Sequence, residues 1–184
     1  DYATAGLNTF TAPDVGVFVA NSGAGTPEFL AAIGTPDVFL TFDLGLPVQQ
    51  DIDGRTLSDS VVFSTMISEA GFGGVNSVNV RAGTGNHIGP AGTWDGMLNI
   101  DFLAAGNPAT IVGFGPIDFG TLEQIRVYDQ ANELLQGFPG VSNSVGTFFG
   151  VQGVGNTRIG RIELDGNFFS IQDIQFDIVP EPAT

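Results

Sequence analysis

Apolar and polar residues alternate cleanly at several places along this chain. Ile174, Phe176 and Ile178 alternate with Asp173, Gln175 and Asp177. That period of two predicts a half-buried strand. Pro180 and Pro182 close it, because proline has no N–H to give to a ladder. Just upstream, Ile162 and Leu164 share one face, with Arg161 and Glu163 opposite. Asp165-Gly166-Asn167 between these two strands predicts a turn, since all three tolerate left-handed backbone angles. Ile171 and Ile174 fall on opposite parities, which predicts a bulge near Asp173.

The same alternation recurs earlier. Leu98, Ile100 and Phe102 oppose Asn99 and Asp101. Strands are also expected over 37–43, 61–67, 75–80, 109–119 and 122–128, the last two linked at Gly120 and Thr121. Asp129 to Glu133 reads as a turn, and Leu134-Leu135 resumes the pattern. Residues 44–60, with Asp51, Asp53 and Asp59, read as a long loop, and so do residues 84–96, with His87 and Trp94. One stretch predicts a helix, Thr26 to Gly34. Thr26 caps it, Pro27 suits the first turn, Glu28 suits the positive end and Gly34 stops it.

About nine to eleven short strands and one short N-terminal helix predict an all-β fold, a jelly-roll-like antiparallel β-sandwich. The 184 residues suit a single domain, with the sandwich over 27–178. Residues 1–26 are either its first strand or an arm. Val15, Val17, Phe18 and Val19 form the one apolar run there, and as an arm they would pair with a copy of the same chain by strand addition.

Composition narrows the function classes. Twenty acidic residues face five arginines and no lysine, giving a net charge of −15. Such a surface repels phosphate backbones, so nucleic acid is excluded as a partner. It also leaves carboxylates free for divalent cations. Cysteine is absent, which removes disulfides and thiol chemistry. No apolar run in this sequence reaches the roughly 20 residues that span a bilayer.

Val179-Pro-Glu-Pro-Ala-Thr184 resembles the sorting signal of the bacterial PEP-CTERM proteins. In that family the motif precedes a membrane helix and a basic tail and is processed by an exosortase. The order of words upstream resembles the β-sandwich ectodomains of such proteins. It runs from F-L-A-A at 29–32 through V-G-F-G at 112–115, I-R-V-Y-D at 125–129 and F-F-G-V at 148–151 to F-F-S-I-Q-D-I-Q-F at 168–176. The resemblance spans most of 27–184. It implies export, with an extracellular or cell-surface location, and makes 179–184 the remnant of a sorting motif.

Candidate chemistry is sparse. The only histidine, His87, belongs to no recognisable triad, and neither a G-x-S-x-G nor an H-E-x-x-H word is present. The expectation is therefore no enzyme. For sugar binding, Trp94, His87 and Tyr128 are the candidate ligand residues, Trp94 being the one tryptophan. Architectural resemblance to β-sandwich glycan-binding modules implies a structural calcium between an early and the last strand, held here by Asp43 and Asp173. The first expectation is a non-enzymatic structural or adhesive protein of the extracellular matrix that associates with copies of itself. The alternative is a calcium-supported carbohydrate-binding module for exopolysaccharide.

Overall fold

A computed structural model describes residues 14–20, 26–41, 50–51, 54, 56–66, 78–82, 86–90, 96–118, 121–139, 147–167 and 169–178. Among them the chain forms fourteen strands and one helix. The order is β1 (Val15–Ala20), α1 (Pro27–Ile33), β2 (Val38–Thr41), β3 (Gln50–Asp51), β4 (Thr56–Leu57), β5 (Val61–Met66), β6 (Val78–Ala82) and β7 (Asn86–Pro90). Then follow β8 (Gly96–Asp101), β9 (Ala109–Asp118), β10 (Thr121–Asp129), β11 (Leu134–Pro139), β12 (Thr147–Gly153), β13 (Ile159–Asn167) and β14 (Ser170–Ile178).

All pairings are antiparallel, and they form two layers. One layer runs β1-β12-β9-β14-β2, with β7, β6 and β3 continuing from the start of β14. The other runs β11-β10-β13-β8-β5-β4. A single pair, Ile159 with Ala109, joins them. From β9 onward β9, β12 and β14 lie in the first layer and β10, β11 and β13 in the second, so that β9 lies beside β14 and β10 beside β13. That nesting is the jelly-roll arrangement. The expected fold is the observed one.

The period of two fixes which side chains meet between the layers. Val112 and Phe114 of β9, Phe149 and Val151 of β12, and Ile174 and Phe176 of β14 point inward from the first layer. Ile125 and Val127 of β10, Ile162 and Leu164 of β13, and Leu98 and Ile100 of β8 meet them from the second. Val15 and Val17 are buried in this same core, and β1 pairs with β12 in register from Val15 opposite Gly153 to Ala20 opposite Phe148. Within this chain β1 is thus an integral outer strand of the sandwich.

The outer face of the first layer carries a second, smaller core. Thr26 Oγ1 accepts the Phe29 N–H at 2.9 Å and starts α1, and Gly34, at φ 62°, ends it. The helix has only seven residues, too few to persist without packing. It is held by Phe29, which meets Phe148 edge-to-face at 4.7 Å and Phe18 at 5.5 Å, with Ile33 and Ile111 around them. Gly113 and Gly150 make room for the rings. A Cβ at either would fall closer than 3.0 Å to Phe29.

Several local expectations are corrected. Asp165-Gly166-Asn167 is not a turn but the end of β13, laddered to β10 on one side and, through Gly166, to β8 on the other. Hydrogen bonding from two neighbours outweighs turn propensity there. Residues 44–60 contain the two-residue strands β3 and β4, and 84–96 contains β7, so His87 lies in a strand opposite Arg81. The β14 register with β9 runs unbroken past Asp173, and its shift falls between Asp177 and Ile178. Ile171 is buried instead because β14 meets β7 at that point, with Ile88 opposite. Asp129 to Glu133 is the expected turn: Asp129 Oδ1 accepts the N–H groups of Ala131 and Glu133, both at 2.8 Å.

Gly113→Ala is expected to cost about 1–3 kcal/mol, because the new methyl displaces the Phe29 and Phe148 rings. At Gly16 a Cβ would come no nearer than 4.0 Å to Gln152 O. There the same change is expected to stay within about 0.5 kcal/mol. Denaturant unfolding of the two variants beside the parent checks both values.

Candidate ligand groove

α1 and β2 stand on either side of the β9–β14 ladder and leave a groove of about 290 Å³ between them. The walls are Leu30 from the helix and Phe39 from β2. Both are large apolar side chains left open, at 44% and 52% exposure. The floor follows from the ladder register. Gln175 lies opposite both Phe39 and Gly113, and Asp173 lies opposite both Thr41 and Gly115. Paired residues share a face, so Asp173, Gln175 and Phe39 all stand on the outer side while Ile174 and Phe176 enter the core. The glycines keep the floor low. Gly115 has φ 147°, a conformation that side chains disfavour.

Burial among these groups raises the Asp173 pKa above the ordinary aspartate value. Its carboxyl has no hydrogen-bond or ion-pair partner among the described residues. Several other carboxylates on the sheet faces, Asp37, Asp177 and Asp101, are served. Asp37 and Asp177 exchange backbone donors: Asp177 Oδ1 accepts the Asp37 N–H at 2.9 Å, and Asp37 Oδ2 accepts the Ile178 N–H at 3.1 Å. Burial also raises the Asp177 pKa, the Asp37 N–H opposes that rise and the Asp37 charge adds to it. Asp101 Oδ1 accepts the Ala104 N–H at 2.9 Å.

On the outer face of the second layer Glu163 is buried and held by two arginines. Arg126 pairs with it closely and also lies 3.8 Å from Asp165. Arg161 Nη1 donates to Glu163 Oε2 at 2.7 Å and to Asn99 Oδ1 at 2.9 Å. The Tyr128 hydroxyl donates to Glu163 Oε2 at 3.4 Å. The cluster of Arg126, Arg161, Glu163 and Asp165 balances its own charge, and with Asn99 it braces β8, β10 and β13.

A second recess, of about 530 Å³, lies at one end of the sandwich beside Asp14, Asp129, Glu133 and Arg158. Asp129 is committed to its turn, and Arg158 Nη1 donates to the carbonyls of Gly155 and Thr157. Asp129 and Arg158 thus stabilise local backbone.

The residues expected from sequence are dispersed. Asp173 sits at the groove floor. Asp43 and Trp94 lie outside the described residues, as does the His87 side chain. Tyr128 is in the other layer, and the Arg161 guanidinium lies 3.9 Å from its ring centroid and occupies that face of the ring. Phe18 packs outward under α1, and Val15, Val17 and Val19 pack inward. Among the described residues no three His, Cys, Asp or Glu side chains gather as a metal cluster. Among the described lining side chains, the Gln175 amide supplies the one oxygen beside the Asp173 carboxyl. Leu30, Phe39 and Gln175 were missed. Phe39 is one of sixteen phenylalanines in an apolar run, and only the register tells that it faces outward. No family model, curated protein or solved structure matches this chain.

Two predictions follow from these environments. The folded chain holds the Asp173 proton more tightly than the unfolded chain. Its contribution to stability is therefore fully present below the ordinary aspartate pKa of about 3.9 and is lost as pH rises through the raised native value. Asp173→Asn is expected to raise Tm at about pH 7, with the gain vanishing toward about pH 3. Glu163→Gln, which leaves two arginines without their shared carboxylate, is expected to cost about 1–3 kcal/mol in denaturant unfolding.

Proposed function

We propose that this chain is a non-enzymatic adhesive module that holds extracellular polysaccharide in the groove between α1 and β2. The observation that carries the reading is the pairing of an open aromatic wall, Phe39, with an unpartnered carboxylate and an amide on the floor, Asp173 and Gln175. A pyranose ring has an apolar C–H face and a rim of hydroxyls. The first suits a phenyl wall and the second suits carboxylate and amide oxygens. Apolar lining with a few convergent polar groups is the common character of small-molecule sites. The described lining supplies one carboxylate, whereas glycoside hydrolysis takes two facing carboxyl groups. The exported, cell-surface part of the proposal rests on the V-P-E-P-A-T word at 179–184.

A second reading, self-association, is favoured by β1. Among the described residues this strand pairs on one side only, with β12, and its six residues carry neither charge nor proline. Such an edge is a template for another strand.

Phe39→Ala is expected to weaken retention on an immobilised extracellular polysaccharide while leaving Tm within a few degrees of the parent. Unchanged retention would refute the groove reading. Gly16→Lys places a charge on the outer side of β1, where the structure has room for a side chain. Under the second reading it should convert assemblies to monomers in light scattering. Assemblies that persist would sink the strand-addition reading.

A further inference from the structure

We propose that the groove selects a cationic amino-sugar glycan, whose free ammonium group pairs with Asp173 while the ring lies against Phe39. The inference rests on the glycan reading above and names its ligand class. Among the described lining residues, Asp173 is the one charged group, and no cation stands beside it. Among the described residues its carboxyl has no donor, while Glu163, Asp101, Asp37 and Asp177 all have one. A ligand that brings a donor satisfies it, and an ammonium does so with opposite charge, the stronger form of hydrogen bond.

The surrounding field has the same sign. Asp177 stands on the same face of β14, four residues beyond Asp173 and so about 13 Å along the strand. Asp37 lies beside it. With a net charge of −15 over the whole chain, the face concentrates polycations and repels uronic-acid polymers. A glycan with repeated free amines meets two negative positions along one strand. Its N-acetylated counterpart keeps the ring and hydroxyls and loses the charge.

The test is calorimetric titration of the whole chain, at moderate salt, with β-1,4-linked glucosamine oligomers. The comparison ligands are N-acetylglucosamine, neutral glucose and galacturonate oligomers of the same length. The glucosamine oligomer is expected to bind about tenfold or more tightly than the acetylated one, and the galacturonate oligomer not at all. Asp173→Asn should erase that preference yet keep the weaker binding of the acetylated oligomer. Phe39→Ala should weaken both.

Equal affinity for the charged and acetylated oligomers would overturn the amino-sugar inference and leave the glycan reading standing. A preference that survives in both variants would overturn it too, marking general adhesion of a polycation to an acidic surface. Failure of every oligomer to bind would overturn this inference together with the glycan reading. Asp173→Asn is expected to fold, since it removes a carboxylate that burial disfavours.

Discussion

The ladder between β9 and β14 is the constraint on which the rest depends. Its register runs from Ser170 opposite Asp118 to Ile178 opposite Ala109. Because side chains alternate across a strand, one register sets two surfaces at once. Val112, Phe114, Ile174 and Phe176 fill the core between the layers. Gly113, Gly115, Asp173 and Gln175 form the floor of the groove on the other side. A slip of one residue would bury Asp173 and expose Phe176. The apolar core therefore enforces the position of the candidate site, and the site needs no separate scaffold.

α1 illustrates the same economy. Its cap is local, but its seven residues gain their stability from Phe29 seated over two glycines. Helix and β2 then become the banks of the groove, and Leu30 and Phe39 remain open although apolar surface is normally covered. The two outer faces contrast. In the second layer Glu163 is paid back for its burial by two arginines and a tyrosine. In the first layer Asp173 has no donor among the described residues, and its burial disfavours the charged form. Uncompensated groups of this kind gather at functional sites, where stability is traded for binding.

Much of the sandwich was legible in the chain. The strand at 174–178, the alternation at 98–102, the turn at Asp129 to Glu133 and the helix at 26–34 all carry local signals, either a period of two or a capping residue with its stop. The errors share one cause. Asp165-Gly166-Asn167 has turn chemistry, yet β10 and β8 bind it into a strand. The segment Asn86–Pro90 has loop chemistry, yet β6 lies alongside it. Partner strands, adjacent in sequence for β7 and distant for the end of β13, supply hydrogen bonds that local propensity does not anticipate.

The sequence by itself determined the class of this protein: acidic, free of cysteine, all-β and patterned to bury one face of each strand. These properties are sums over residues or periods along the chain, so they need no knowledge of neighbours. It also singled out Asp173, as a candidate calcium ligand. Only the tertiary structure decided that Phe39, Leu30, Asp173 and Gln175 share one hollow, and that Arg161 covers Tyr128. Those residues come from a helix, an edge strand and the last strand. What brings them together is the register of long-range ladders, which the packing of the whole core selects.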